Sequence, residues 1–167
     1  AAGGARAYIN ATVGADIAFK APSAQISSGS GSPGAVAAVS ADFNHDGVFD
    51  FAYTNIVDNI VTLAVGALQE DSVSFAKPMS DVQVGSNPIA MVAGDVNGDG
   101  AVDLLVANAI SGGITVLHGN QSGGVATGTF SIPAPDIALG TNKPSHLAIG
   151  FIDADAFLDL AVASTSG

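Results

Sequence analysis

Short apolar runs alternate along the chain with clusters of Gly, Asn, Ser, Pro and Asp. In the best-defined stretch, Ile89 to Ala93 is apolar and leads into an Asp-rich loop. Val102 to Ala107 (VDLLVA) follows, and Ile114 to Leu117 comes after the turn Ser111-Gly112-Gly113. Phe130 to Leu139 is a fourth piece, broken by two prolines. Short β-branched runs bounded by turn formers predict strands. The prolines suit an outer edge strand, where a missing N–H is tolerated. The inner pieces are more continuously apolar, as strands covered on both faces require. No helical period is sustained, so the pattern predicts an all-β chain.

The strand pattern repeats. Asp50, Asp103 and Asp159 close three Asp-rich loops at spacings of 53 and 56 residues. In a second register Phe19, Phe75 and Phe130 are spaced by 56 and 55. Each Phe is followed by Pro22, Pro78 or Pro133, and then by Gly29, Gly85 or Gly140. A period near 55 lies just beyond the roughly 40–50 residues of common propeller-blade repeats. The phases predict strands three and four of one unit at 5–28, whole units at 35–85 and 88–139, and strands one and two of another at 145–164. Those are three blade-equivalents of four-stranded antiparallel sheet. Propellers close with about four to eight blades, so the chain is expected to be an incomplete ring. The missing blades would come from the same longer protein or from a second chain. The C-terminal strands one and two could then join strands three and four of a partner.

Composition narrows the function. Four Lys and Arg stand against 15 Asp and Glu, for a formal charge of -11. A nucleic-acid partner needs a basic face that four scattered cations do not build. No apolar run approaches the roughly 18 residues of a membrane span, so direct membrane insertion is not expected. Cysteine is absent, which excludes disulfides, thiolate metal sites and a Cys nucleophile. The sequence starts without Met and shows no signal peptide, so it reads as a mature, fragmentary or trimmed form.

The acids are concentrated. Asp42-Phe43-Asn44-His45-Asp46-Gly47-Val48-Phe49-Asp50 and Asp95-Val96-Asn97-Gly98-Asp99-Gly100-Ala101-Val102-Asp103 both read D-x-N-x-D-G-x-x-D. Side-chain oxygens recur at positions 1, 3, 5 and 9, and the Gly at position 6 permits a sharp turn. Position 7 offers the backbone carbonyl of Val48 or Ala101. Such an all-oxygen set suits Ca2+, which takes 6–8 oxygens, better than Mg2+, which keeps its waters. Zinc is disfavoured without Cys or a His pair. Position 12 lacks the Glu of an EF-hand, and the flanks read as strands, which also disfavours the helical dockerin module. The third loop keeps Asp153, Asp155 and Asp159, with the Phe157 carbonyl at position 7. It has Phe151 at position 1 and Ala156 at position 6, so weak or no Ca2+ is expected there.

On these residues, D-F-N-H-D-G-V-F-D-F-A and D-V-N-G-D-G-A-V-D-L-L-V-A-N, the chain resembles the FG-GAP/VCBS repeats of integrin-α-like β-propellers. The G-T-F before Ser131 and the G-x-N-P before Ile89 match that repeat too. The resemblance implies Ca2+ in the turn between strands one and two of a blade. It also implies ligands met on the opposite face or between blades. Relatives include adhesion receptors, propeller lectins and non-catalytic modules of secreted enzymes. The expected function is therefore a secreted recognition module for an extracellular glycan or protein, and not an enzyme. The alternative is a propeller part of a larger secreted enzyme. Candidate ligand residues are Asn55, Asp58, Asn59, Asn87, Asn108, Ser111 and Asn142, in the turns between strands two and three and between blades.

Other signals carry less. Gly29-Ser30-Gly31-Ser32-Pro33-Gly34 matches G-x-G-x-x-G, but no helix follows, as a dinucleotide site requires. His45, His118 and His146 form no site by spacing. Asn10 and Asn120 begin N-glycosylation sequons.

Overall fold

A computed structural model describes residues 34–69, 72–77, 81–132 and 135–166, and the backbone of four two-residue strands before them. These are β1 (Gly4–Ala5), β2 (Ile9–Asn10), β3 (Phe19–Lys20) and β4 (Ile26–Ser27). The first complete sheet holds β5 (Ala35–Ala41), β6 (Asp50–Asn55), β7 (Ile60–Gln69), β8 (Ser72–Ala76) and β9 (Val82–Gln83). The second holds β10 (Pro88–Gly94), β11 (Asp103–Asn108), β12 (Gly113–Ser122), β13 (Val125–Ser131) and β14 (Ile137–Ala138). β15 (Asn142–Gly150) and β16 (Asp159–Ser166) form a two-stranded sheet. All pairings are antiparallel. The fold is all-β, in sheets with the strand order of blades. Among the described residues no helix is long and apolar enough to cross a membrane.

The inner strands behave as their apolar runs require. Every residue of β6 and of β11 is buried. Period-2 alternation sends their side chains to opposite faces. Leu104 and Val106 therefore pack toward the first sheet with Ala52, Val61 and Leu63. Leu105 and Ala107 pack the other way, against Leu147, Leu160 and Val162. Each fully buried Leu is worth roughly 1.5–3 kcal/mol, so stacking between sheets accounts for a thin core built without Trp. Phe51, Tyr53, Ala64 and Phe75 form a further cluster on the remaining face of the first sheet.

The fourth strand differs from expectation. The piece read as Phe130 to Leu139 is two elements, because the chain leaves the sheet after Ser131 and returns at Ile137. β13 pairs with the far half of β12, whereas β14 pairs with Gly113 and Ile114 at its start. Pro135 lies between the two elements, where proline can donate no ladder bond. β8 and β9 divide the outer edge of β7 in the same way. The third strand is also longer than its apolar run, spanning Gly113–Ser122. The expected half-unit at 5–28 is described only through its backbone pairs, and most of the G-x-G-x-x-G stretch lies outside the described residues.

Candidate functional site

The two intact Asp loops join β5 to β6 and β10 to β11. Each winds through two left-handed residues, His45 (φ 57°) and Gly47 (φ 85°) in the first, Gly98 (φ 74°) and Gly100 (φ 91°) in the second. Glycine adopts this conformation freely, and His is tolerated better than a branched residue. The winding turns successive N–H groups inward, and the loop's own oxygens accept them. Asp42 Oδ1 accepts from Asp46 N–H at 3.1 Å and Oδ2 from Gly47 N–H at 2.9 Å. Asn44 Oδ1 accepts from Asp46 N–H, and Asp46 Oδ1 from Val48 N–H. The second loop repeats this at Asp95, Asn97 and Asp99. The Ala101 N–H bonded to Asp99 holds that exposed carboxyl below its ordinary pKa.

Position 9 is built differently. Asp50 and Asp103 are almost fully buried, at 1% and 0% exposure. Asp50 Oδ2 accepts from Phe43 N–H at 2.9 Å, and Oδ1 accepts from Gly66 N–H of β7 at 2.8 Å. Asp103 likewise joins Val96 N–H to Gly119 N–H of β12. One carboxylate thus staples its loop to the third strand. Burial, the largest influence, lifts the Asp50 pKa above its ordinary value, although both N–H groups pull it down.

Sequence reading missed the glycines opposite these carboxylates. A Cβ on Gly66 would lie 2.5 Å from the Phe49 carbonyl oxygen, and one on Gly119 would lie 2.6 Å from that of Val102. Only glycine lets the third strand approach the loop this closely. Gly66 and Gly119 lie 53 residues apart, the same spacing as Asp50 and Asp103, and that shared spacing was the available signal. His118, discounted by spacing, comes within 3.2 Å of both Asp103 Oδ1 and Asn97 Nδ2 through its Nδ1. Strand register brings it there, since Leu117 pairs with Leu104. Gln121 also reaches the second loop, donating to the Asp99 carbonyl.

The third loop keeps only part of this construction. Asp153 and Asp155 accept from the N–H groups two residues on, and Asp159 Oδ2 accepts from Ile152 and Asp153. Phe151 is exposed where the other loops have Asp. Neither Ala154 nor Ala156 is left-handed, the left-handed non-glycine residues among those described being His45, Asn59 and Asn87.

Donor chemistry at the first two loops fits a hard cation: three carboxylates, an amide oxygen and the position-7 carbonyl lie on one short turn, with oxygen lone pairs beyond those given to N–H groups. The side chains do not form a ready cage. Among the described residues no three His, Asp or Glu converge as a metal cluster.

At the other end of the same strands, the ligand candidates divide by burial. Asn55 and Asn108 are completely buried. Asn55 Oδ1 accepts from Val57 and Asp58 N–H, while Asn108 Nδ2 donates to Thr115 and Asp136. Both shape the turn from inside. Asn59 and Asn87 hold left-handed turn positions, with Asn59 Oδ1 accepting from Asn87 N–H at 2.8 Å. Ser111 and Asn142 are exposed, and Asp58, Asn59 and Asn87 are half-buried. The sequon residue Asn120 donates to Thr129 Oγ1. His45 and His146 are exposed and lie apart from His118 in the loop and β15.

Fold and loops together define an all-β repeat protein built from blade-like sheets with an Asp loop between strands one and two. Residues 95–162 match the family model of the FG-GAP-like repeat. No match was found among curated proteins or solved structures.

Proposed function

We propose that this chain is part of a secreted β-propeller recognition module, not itself an enzyme, whose first two Asp loops hold structural Ca2+. The observation that carries this reading is the doubled loop, with the same oxygens at the same positions and the same left-handed turns at positions 4 and 6. Asp42, Asn44, Asp46, the Val48 carbonyl and Asp50 would hold one ion. Asp95, Asn97, Asp99, the Ala101 carbonyl and Asp103 would hold the other. The ion supplies positive charge that offsets clustered carboxylates and fixes the turn. The chain's own part is to preorganise the turn through its N–H bonds and to anchor it through Asp50 and Asp103.

The recognition surface would be the opposite end of the sheets, where Asp58, Asn59, Asn87, Ser111 and Asn142 remain accessible. Amide and hydroxyl groups suit a hydroxyl-rich ligand, so carbohydrate is the favoured class. Ligand binding there would require no bond change, only hydrogen bonding on a rigid rim. Thermal unfolding in Ca2+ and in excess EDTA tests the metal. At 100 times the dissociation constant each site adds about 2.7 kcal/mol, so chelation should lower Tm, and an unchanged Tm would refute it. Glycan-array binding tests the ligand class. Capture of an extracellular protein with no glycan hit would turn the reading to protein adhesion.

A further inference from the structure

The two intact loops share one construction but differ around the asparagine at position 3. In both, the Asn Oδ1 accepts an N–H two residues on, Asn44 from Asp46 at 3.1 Å and Asn97 from Asp99 at 2.9 Å. In both, Nδ2 donates to the position-5 carboxylate. The next residue is His45 in the first loop and Gly98 in the second, each left-handed. Asn97-Gly98 is the single Asn-Gly pair in the sequence. A Cβ on Gly98 would lie 2.9 Å from the Phe157 ring, so the neighbouring third loop holds this position to glycine.

Three further contacts set Asn97 apart. The Gly98 N–H donates to Asp95 Oδ1 at 2.8 Å. In the first loop the matching Asp42 accepts instead from the later N–H groups of Asp46 and Gly47. His118 of β12 brings Nδ1 to 3.2 Å from Asn97 Nδ2, and the residue 53 positions before His118 is Val65, which has no such group. Asn97 and Gly98 are exposed, whereas Asn44 is half-buried. Gly128 comes so near Asn44 that a Cβ on it would lie 3.1 Å from the Asn44 Cβ.

We propose that Asn97 is a self-modification site of the folded chain, losing its side-chain amide to attack by the Gly98 backbone nitrogen. That nitrogen bonds to Asn97 Cγ and closes a five-membered succinimide. The Cγ–Nδ2 bond breaks, and the proton given up by Gly98 ends on the departing nitrogen, which leaves as ammonia. Water then adds to one or other imide carbonyl, leaving an aspartate or an isoaspartate at position 97. The attacking and attacked atoms belong to neighbouring residues, so the step is intramolecular. The Asp99 N–H on Asn97 Oδ1 sits where negative charge develops as the nitrogen adds. Asp95 Oδ1 lies on the proton that Gly98 gives up, and His118 Nδ1 lies beside the nitrogen that gains one. Glycine sets no Cβ beside the attacking nitrogen, whereas His45 does. An aspartate at position 97 would give the second loop a fourth carboxylate beside Asp95, Asp99 and Asp103. An isoaspartate would lengthen the loop's main chain by one methylene.

The unaltered chain is aged in EDTA, so that the outcome does not depend on bound metal, then digested and read by mass spectrometry and enzymatic isoaspartate methylation. The amide-to-acid mass change should accumulate at Asn97 about tenfold or more faster than at Asn44. Because any side chain at Gly98 would meet Phe157, the variant alters the first loop instead. His45→Gly gives that loop the same Asn-Gly pair without counterparts of the Asp95 and His118 contacts, and Asn44 should still convert several-fold more slowly than Asn97. Equal folded-state rates at the two asparagines of this variant would overturn the proposal. So would an Asn97 that stays intact in the folded chain while the same chain in urea converts.

Discussion

Replacing Asp50 with Ala separates what the loop carboxylates do for the fold from what they would do for a metal. Asp50 is 1% exposed and satisfies two backbone N–H groups, of Phe43 at 2.9 Å and Gly66 at 2.8 Å. Alanine leaves both without an acceptor. A buried donor left unsatisfied costs about 1–3 kcal/mol, and relief of the carboxylate's own burial returns part of that. A net loss of about 2–4 kcal/mol follows in EDTA. The loss propagates, because Phe43 packs edge-on against Phe130 at 5.5 Å and Gly66 fixes the third strand to the loop. Asp46→Ala is the matched control. Its bonds to Val48 N–H and Asn44 are exposed, so without metal it should cost under about 1 kcal/mol. Urea unfolding in EDTA, followed by circular dichroism and the fluorescence of buried Tyr53, measures both. If Asp50→Ala is no more damaging than Asp46→Ala under those conditions, the staple reasoning is wrong.

Gly119→Ala should destabilise by more than a glycine-to-alanine change normally could, since its Cβ would meet the Val102 carbonyl oxygen at 2.6 Å. About 2 kcal/mol or more, with strand three displaced from the loop, is the expected scale; a neutral or stabilising result by urea titration would contradict the close approach. In EDTA, Asp50 carries a pKa raised above 3.8, chiefly by burial. Its contribution to stability is greatest below that value and is lost as pH rises through the folded-state pKa. The stability advantage of the wild type over Asp50→Asn should therefore narrow from acid toward neutral pH, and a widening gap would contradict the assigned cause.

What was legible in the sequence is what local chemistry determines. Asp, Asn and Gly at fixed offsets dictate a winding loop without help from distant residues, so the two intact loops could be read directly. Apolar runs such as VDLLVA carried the buried inner strands, and Phe19, Phe75 and Phe130 carried the period. The rest depended on register. That Gly66 and Gly119 dock on Asp50 and Asp103, or that His118 reaches Asn97, follows only once strand three is aligned with strand two. Asn55 and Asn108 look like surface turn residues in sequence, yet their amides bond inward. The sequence reads Phe130 to Leu139 as one fourth piece interrupted by two prolines, whereas the structure has two elements there. β14 pairs instead with the opposite half of β12 from β13.

The most direct test of the account is a calcium titration of the metal-free chain by calorimetry, repeated for Asp46→Ala, Asp99→Ala and the double variant. The account predicts two sites in the wild type, one in each single variant and none in the double variant, with Asp153→Ala leaving both sites intact. No calcium binding by the folded wild type, or a stoichiometry unchanged in the double variant, would contradict it.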